Sequence, residues 1–263
     1  MGRIYTLVNQ KGGVGKTTTA INLGAYLAKL GQRVLIVDAD PQANATSSLG
    51  VDKHTVKGGV YETLLNGAAA TPFILLNSRL KLSLLPASPS LAGAEIELVS
   101  AMQRESKLKN ALSLVIDLYD YILVDCPPSL GLLAVNGLVA AKDGLIIPVQ
   151  CEYLALEGIG ELTHTIQRVR MALFPELKVR GVVMTMFDGR THLAVDVVAE
   201  VKKHFSGQVF ETLIPRSIRL AEAPSYGIPI SLYAPGSHAA HAFESLAREL
   251  LIGDGLGNSL TQE

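Results

Sequence analysis

The sequence predicts an α/β fold of three layers, in which a mostly parallel twisted sheet of about seven or eight strands has helices on both faces. Short runs rich in Val, Ile and Leu alternate with stretches of helical periodicity along the chain. The strand runs are apolar almost throughout, whereas a strand with one face in water would alternate between apolar and polar residues. Helices covering both faces of the sheet explain this pattern.

Seven runs are candidate strands: 4–8, 34–37, 82–85, 121–124, 145–149, 179–184 and 209–214. Between the first two, Ala20, Leu23, Leu27 and Leu30 fall at helical spacing, and Gly31 suits the position after a helix end. This segment is therefore a βαβ unit, and right-handed crossovers are expected throughout. Later helices are predicted at 92–105, 108–118, 132–141, 159–174, 193–205 and 238–251.

The 263 residues suit one large α/β domain, which we place at 1–252. Hydrophobic residues make up 48% and charged residues 18%, a composition that excludes a disordered or fibrous protein. The final segment, 253–263, is rich in Gly, Asn, Ser and Gln and is predicted to be a flexible tail. The six histidines are scattered and read as surface or packing residues.

Charge, cysteine content and the N-terminus together indicate a cytoplasmic protein. The net charge of -1 neither requires nor excludes a nucleic-acid partner, so any basic patch must be local. Cys126 and Cys151 have no metal-binding spacing and are expected to be buried thiols in a reducing compartment. The first strand leaves no room for a signal peptide, and no apolar run reaches the roughly 18 residues of a membrane span.

The segment between the first strand and the first helix predicts a phosphate-binding loop. Glycines let backbone N–H groups surround phosphate oxygens, and the helix N-terminus adds its positive end. Lys16 can reach the β and γ oxygens of ATP, and the Thr17 hydroxyl can bind Mg²⁺. A glycine-rich turn with an exposed lysine is the structural alternative, which the strand-to-helix context disfavours. The predicted nucleotide-binding residues are Lys11, Gly12, Gly13, Val14, Gly15, Lys16, Thr17 and Thr18.

The loop departs from the strict G-x-x-x-x-G-K-[ST] pattern, because Gln10 replaces the first glycine and Lys11 follows. The departure resembles the K-G-G-x-G-K-[ST] hallmark of the deviant Walker A ATPases, a P-loop group that includes the ParA/Soj partition proteins, MinD and the nitrogenase iron protein. The resemblance implies that Lys11 reaches the nucleotide of a second subunit, so that ATP binding forms a homodimer. Two facing phosphate groups do need extra cations, which agrees physically with this role.

Two carboxylates follow the second strand, at the edge of the sheet where open α/β folds bind ligands. One of them can orient or deprotonate an attacking water while the other supports the metal's water shell. The resemblance to the ParA D-x-D-P-Q segment assigns catalysis to Asp40 and support to Asp38. Helix capping or turn formation is the structural alternative.

A hydrophobic strand ends at Asp125 in the manner of a Walker B motif, whose carboxylate holds Mg²⁺, usually through water. The segment 125–128 resembles the D-x-P-P switch of the ParA group, a loop that is expected to sense the γ-phosphate. Further along, Pro215 and Pro224 resemble the adenine side of the family's pocket. Prolines that simply form turns remain an alternative for both.

Two further segments, 185–191 and 215–225, are similar to the T-M-x-D-x-R-T and I-P-R-x-x-R-L-x-E-A-P-S motifs of Soj-type ParA. The resemblance then spans almost the whole chain. It implies nonspecific binding of double-stranded DNA through Arg190 and Arg219, and a ParB-like partner that stimulates ATP hydrolysis. A nucleoid-associated protein that moves chromosomes or plasmids is expected. Lys202 and Lys203 are candidates for the same basic patch, although adjacent helical residues do not share a face.

Two other functions stay open as alternatives. A MinD-like ATPase that cycles on membranes needs a basic amphipathic C-terminal helix, and the acidic, glycine-rich end of this chain argues against one. A reductase like the nitrogenase iron protein needs two cysteines placed to share a cluster across a dimer. The positions of Cys126 and Cys151 do not match that spacing.

Overall fold

The apolar runs form a central sheet of seven strands in the computed structural model, which describes residues 2–65, 67, 69–153 and 155–257. The strands are β1 (Arg3–Leu7), β2 (Val34–Asp38), β3 (Leu75–Asn77), β4 (Leu82–Leu85), β5 (Tyr121–Asp125), β6 (Gly144–Gln150) and β7 (Val179–Thr185). Their order across the sheet is β3-β4-β2-β5-β1-β6-β7, and only β3 pairs antiparallel to its neighbour. The predicted mostly parallel sheet is confirmed.

Eleven α-helices within the described residues connect and cover these strands. They are α1 (Lys16–Lys29), α2 (Asn44–Ser48), α3 (Val60–Leu65), α4 (Leu91–Glu97), α5 (Lys107–Ser113), α6 (Leu132–Ala140), α7 (Ala155–Ala172), α8 (His192–His204), α9 (Ile218–Glu222), α10 (Ile230–Tyr233) and α11 (His238–Gly253). The four short helices α2, α3, α9 and α10 were not predicted, because four to six residues are too few to show a 3.6-residue period.

Both faces of the sheet are buried, as the continuous apolar runs indicated. Successive side chains of a strand point to opposite faces, so Tyr5 and Leu7 pack with α1 and α11 on one side. On the other side, Ile4, Leu35 and Val37 pack with α3, α4 and α5. At the far end of the sheet, β6 and β7 pack with α6, α7 and α8. The result is the predicted arrangement of three layers.

The predicted strand at 209–214 is not a regular strand. Val209 forms an isolated parallel bridge with Val182, and Pro215 forms another with Phe187. Between these bridges, the Phe210 N–H donates to the Val182 carbonyl and the Ile214 N–H to the Met184 carbonyl. This segment therefore follows the edge of β7 with interrupted pairing. Conversely, the short strand β3 was missed, because Leu75 and Leu76 lie on an exposed edge and lack the buried pattern.

The helix predicted at 92–105 ends early. Helix α4 stops at Glu97, a single 3-10 turn follows, and Ala101 takes an extended conformation with ψ of 138°. Gln103 then has a left-handed φ of 52°, which a continuing helix cannot contain. The helix predicted at 108–118 also ends early, at Ser113.

The C-terminal helix α11 continues into the segment predicted to be a tail, since Gly253 is helical and Asp254 is part of the folded domain. The Asp254 side chain is only 3% exposed and forms an ion pair with Arg180 at 3.0 Å. Its oxygens also accept hydrogen bonds from the hydroxyls of Tyr5 and Tyr121 at 2.9 Å. The remainder of the predicted tail, 258–263, lies outside the described residues.

Candidate active site

The phosphate loop and the three predicted aspartates, Asp38, Asp40 and Asp125, lie at the carboxyl edge of the sheet, because β2, β5 and β1 are neighbours in its centre. In this parallel register, Asp125 of β5 stands opposite Leu7 on one side and Asp38 on the other. The phosphate loop follows Leu7, and Asp40 follows Asp38. Strand order therefore brings together three segments that are far apart in the sequence.

The loop before α1 leaves its backbone amides available for an anion. Gly13 and Gly15 have left-handed φ values of 76° and 90°, and a side chain would strain the backbone at both positions. Gly15 is the N-cap of α1, and no side chain caps the helix. The first N–H groups of a 14-residue helix thus point to the loop without a side-chain partner, an arrangement that suits phosphate.

Three hydrogen bonds, two of them buried, hold this loop in place. The Asn9 amide donates to the Pro148 carbonyl at 2.8 Å, and its oxygen accepts from the Lys11 N–H at 3.0 Å. On the other side, the Thr185 hydroxyl donates to the Val14 carbonyl at 2.8 Å. Asn9 was not predicted, since a buried polar residue at a strand end has no distinctive local pattern. Thr185 belongs to the segment 185–191 singled out in the sequence, but its contact with the loop was not predicted.

The Lys16 side chain is buried within the loop, with a residue exposure of 7%. Its ammonium group donates to the Lys11 carbonyl at 3.1 Å. Burial lowers the pKa of Lys16, while the nearby Asp125 and Asp40 carboxylates act in the opposite direction. The buried Lys16 ammonium group, which has one neutral acceptor and two carboxylates nearby, can therefore bind a phosphate oxygen.

Asp125 is fully buried, and among the described residues neither of its carboxylate oxygens has a hydrogen-bond partner. The pKa of Asp125 is raised well above the usual range. Burial is the largest cause and repulsion from Asp38 the second, while the Thr17 side chain and the Lys16 charge lower the pKa and so partly offset them. Burying a carboxylate without a partner costs free energy, so the Asp125 carboxylate is a candidate ligand for a cation. Mg²⁺ prefers oxygen ligands and usually retains waters and phosphate oxygens, so Asp125 and Thr17 fit it.

Asp38 and Asp40 are both buried but have different partners. One Asp38 oxygen accepts from the Thr46 hydroxyl at 2.6 Å and the Thr46 N–H at 2.7 Å. Burial raises the pKa of Asp38 to about 6. Within the part of the chain that the structure describes, the Asp40 carboxylate accepts one local bond, from the Gln42 N–H at 2.9 Å, and it lies near Lys16. Asp38 therefore binds the backbone and the hydroxyl of Thr46, whereas the Asp40 carboxylate has acceptor positions left for a water molecule.

Lys11 forms an ion pair with Glu152, the residue two positions after β6. Both side chains are about one-third exposed, at 35% and 31%, so the pair lies at the mouth of the site. The sequence did not reveal Glu152, because only the adjacency of β1 and β6 brings it to the loop. Within this chain, Lys11 is directed to Glu152, whereas Lys16 faces the acidic groups.

A cavity of about 350 Å³ adjoins the N-terminal end of α1. Pro215 lines this cavity, and Met186, which also lines it, has an unusual left-handed φ of 52°. The role of Pro215 on the adenine side stays a prediction. Pro224 lines a separate crevice of about 20 Å³ between α1, α2 and the segment 220–229. The other lining residues of the large cavity are Gly15, Thr18, Thr19, Thr185, Ile214, Arg216, Ser217, Ile218, Leu220, Ala221 and Phe243.

Arg190 and Arg219 are both exposed. The Phe187 to Pro215 bridge and the Arg216 N–H to Phe187 carbonyl bond join the two segments that carry them. Arg190 forms an ion pair with Asp188 at 2.7 Å, and its side chain is 89% exposed. Lys202 and Lys203 are each paired with a glutamate, Glu211 and Glu200.

Comparisons with known proteins identify the family of this chain. A family profile described as an AAA domain matches residues 2–179. The chain is 52% identical over 250 residues to the sporulation initiation inhibitor protein Soj of Bacillus subtilis, covering 95% of this chain and 98% of that protein. The chromosome-partitioning ATPase Soj of Treponema pallidum is 48% identical over 255 residues, covering 97% and 99%. The chain belongs to the Soj/ParA family of chromosome-partitioning ATPases.

Solved structures extend the family relationship to the fold and its ligands. Cobyrinic acid a,c-diamide synthase from Mycobacterium smegmatis, with an ATP analogue and magnesium bound, superposes with a TM-score of 0.86 at 37% identity, covering 98% of this chain and 97% of the other. MinD from Pyrococcus horikoshii, in complex with Mg-ADP, gives a TM-score of 0.78 at 27% identity, covering 98% and 99%. Among the described residues of this Soj/ParA member, no helix has both the length and the apolar character to cross a bilayer.

Proposed function

We propose that this Soj/ParA protein is a magnesium-dependent ATPase that dimerises with ATP, binds DNA without sequence preference and segregates chromosomes or plasmids. The observation that carries the nucleotide chemistry is the Asp125 carboxylate, which is buried near the Lys16 ammonium group and accepts no hydrogen bond within the described part of the chain. Helix α1, which follows the phosphate loop, has no side-chain cap. The relationship to partition proteins along nearly the whole chain supports the biological role.

In this proposal, the residues of the phosphate loop bind and orient ATP. The amides at the start of α1 and the Lys16 ammonium group bind the β and γ oxygens, and Thr17 and Asp125 hold the metal. Mg²⁺, when bound, neutralises the charge that develops on the phosphate oxygens. Asp40 orients the attacking water and accepts its proton, because its carboxylate has only one local hydrogen bond.

Dimerisation requires Lys11 to exchange partners. In the single chain, Glu152 binds the Lys11 ammonium group. We propose that facing ATP phosphates attract Lys11 into the partner's site, since two or three negative charges compete with one carboxylate. ATP binding and dimer formation are then coupled, and hydrolysis reverses both.

The dimer is proposed to bind double-stranded DNA through Arg190 and Arg219. Nonspecific affinity comes from neutralising phosphates, and two copies of a small patch neutralise twice as many as one. The chain has a net charge of -1, so a monomer has little general attraction for DNA. A ParB-like partner is proposed to stimulate hydrolysis, and the protein is expected at the nucleoid in the cytoplasm.

A MinD-like membrane cycle is the alternative, because MinD shares the fold. In this chain the apolar face of α11 is buried in the core through Phe243, Leu246 and Leu250 and is therefore not available to a membrane. We therefore expect this protein to bind DNA and not a membrane.

Co-sedimentation separates the two functions. With ATP and Mg²⁺, the protein is expected to pellet with long double-stranded DNA and to stay in the supernatant with anionic liposomes; ADP or chelation of Mg²⁺ should abolish the DNA pellet. Protein that pellets with liposomes but not with DNA would overturn the partition proposal in favour of the MinD-like one. Size-exclusion chromatography in the same nucleotides reports whether a dimer forms.

A further inference from the structure

Thr46, in the middle of α2, connects three segments of the chain through one buried side chain. Its hydroxyl donates to an Asp38 oxygen at 2.6 Å and accepts from the Ala87 N–H at 2.9 Å. Its own N–H donates to the same Asp38 oxygen at 2.7 Å. Thr46 and Asp38 are both fully buried. The end of β2, helix α2 and the loop after β4 are thus joined by direct hydrogen bonds.

These bonds close a loop that contains Asp40. The segment begins at Asp38 and returns to it at Thr46, and the Asp40 N–H also faces Asp38 at 3.3 Å. Inside the loop, the Ala43 N–H binds the Asp40 carbonyl at 2.8 Å, and Ala43 has a left-handed φ of 51°. A left-handed non-glycine residue is held only where its surroundings require it. The backbone on both sides of Asp40 is therefore fixed by Asp38 and Thr46.

We propose that Thr46 is a positioning residue for ATP hydrolysis, whose hydroxyl sets the position of Asp40 through the bonds that it makes to Asp38 and Ala87. The proposal rests on the proposed ATPase function and on the assignment of Asp40 to the water. Burying a hydroxyl is costly unless it is hydrogen-bonded, and here its donor and one acceptor position are both used. Valine fills the same space but cannot make either bond, whereas serine can make both.

The chemistry of the reaction makes such positioning measurable. A displacement of about 1 Å in a catalytic group can cost about a hundredfold in rate. ATP affinity depends instead on the phosphate loop and the cavity beside α1, neither of which contains Thr46. Loss of the hydroxyl should therefore lower the rate of hydrolysis with little effect on binding.

The test compares Thr46→Val with Thr46→Ser and uses Thr63→Val as the matched control. Thr63 is also buried in a short helix, but its hydroxyl only binds the Gly59 carbonyl, four residues earlier, at 2.8 Å. Single-turnover hydrolysis is measured with enzyme in excess, and the Kd of ATP is measured separately. In nucleotide-free protein, hydrogen exchange reports the amides of Thr46 and Ala87.

We expect Thr46→Val to slow single-turnover hydrolysis by about tenfold to a hundredfold while the Kd of ATP changes less than about twofold. In that variant the Ala87 amide should exchange faster without nucleotide. Thr46→Ser and Thr63→Val should both hydrolyse ATP at nearly the wild-type rate. If Thr46→Val does not fold, Thr46→Ala takes its place with the same expectations, and comparison with Thr46→Ser, which also lacks the methyl group, isolates the hydroxyl.

A wild-type rate in folded Thr46→Val would overturn the proposal, and so would an equal loss in Thr46→Ser, which would assign the effect to the missing methyl group. Loss of ATP binding in parallel with the rate would show a merely structural role. Failure of the wild-type protein to hydrolyse ATP would instead contradict the proposed function itself. The two failures are therefore distinguishable.

Discussion

At the scale of single residues, the two lysines of the phosphate loop differ in what surrounds them. Lys16 is buried near Asp125 and Asp40, where a cation is needed whether or not a second subunit is present. Lys11 is at the mouth of the site and is held by Glu152. These surroundings support the proposal that Lys16 binds the nucleotide of its own chain while Lys11 exchanges Glu152 for a phosphate.

Removing the Lys11 side chain tests this assignment. Lys11→Ala should bind ATP with an affinity within about threefold of wild type, because Lys16 and the helix amides remain, but should stay monomeric. Glu152→Gln is the matched variant, since it frees Lys11 without removing it, and should form the ATP dimer at lower protein concentration. Analytical ultracentrifugation measures both. An ATP dimer of normal stability in Lys11→Ala would contradict the bridging role.

Asp40 gives a second prediction at this scale. Asp40→Ala should slow hydrolysis by about a hundredfold or more, because the water loses the carboxylate that orients it. The variant should still bind ATP and should accumulate as the dimer. Phosphate release and size-exclusion chromatography measure the two properties, with the exposed Asp117→Ala as control. Normal turnover in Asp40→Ala would remove Asp40 from its proposed role.

At the scale of elements, Asp254 attaches the end of α11 to the amino edge of the sheet. A carboxylate at a helix C-terminus is normally unfavourable, because the helix dipole is negative there. Arg180, and the hydroxyls of Tyr5 and Tyr121, offset that effect by binding both oxygens. Three separate strands are thus connected to the last helix through one buried group.

Asp254→Ala should consequently destabilise the protein by about 3 kcal/mol, because Arg180 and two tyrosine hydroxyls lose their partner. The exposed Glu176→Ala is the control and should be nearly neutral. Urea denaturation followed by circular dichroism measures both. A change below about 0.5 kcal/mol in Asp254→Ala would show that this cluster does not contribute to stability.

Helix α6 approaches β5 so closely that Gly137 cannot accept a side chain. An added Cβ would overlap the Sγ of the buried Cys126, and the Thr6 hydroxyl donates to the Gly137 carbonyl at 2.7 Å. Gly137→Ala should destabilise by about 1–3 kcal/mol. Gly158 lies in α7, and an added Cβ there has no neighbour within 4 Å. Gly158→Ala should instead stabilise the protein by about 0.5–1 kcal/mol. Thermal melting of both variants separates steric overlap from the general effect of replacing a helical glycine.

At the scale of the whole molecule, the two arginines proposed for DNA binding, Arg190 and Arg219, are both exposed. Arg190 is already paired with Asp188, so a DNA phosphate must displace that carboxylate. Exposed ion pairs of this kind are weak, and exchange for a phosphate is therefore easy. In the proposed function a dimer would present each arginine twice, so that a chain with a net charge of -1 would gain affinity for DNA only as a dimer.

Arg190→Ala and Arg219→Ala should each weaken DNA binding by the ATP dimer without preventing dimerisation. Loss of two phosphate contacts per dimer should also make the slope of log affinity against log salt about 2 units less steep. Arg33→Ala is the matched control, because Arg33 is an exposed, ion-paired arginine before β2, at the opposite edge of the sheet. Fluorescence anisotropy across a salt series measures all three. Unchanged DNA binding in both test variants would remove these arginines from the interface.

The sequence by itself determined the fold class, the phosphate loop and the family. Apolar runs reveal strands that are buried on both faces, and Lys11, Lys16 and Thr17 are local in the chain, so no contact had to be known. The same local signals fail where pairing decides the structure. The segment 209–214 has the composition of a strand, but its pairing with the edge of β7 is interrupted.

Only the tertiary structure decided which side chains face one another. Thr46 and Glu152 have no motif, and they join the site because parallel strands deliver their loops to one edge of the sheet. Asp254 is in a segment whose composition predicts a tail, yet it is buried because Arg180 and two tyrosines meet it there. The physical reason is the same in each case: hydrogen bonds and ion pairs depend on distances between segments, and composition and spacing report only on neighbours in the chain.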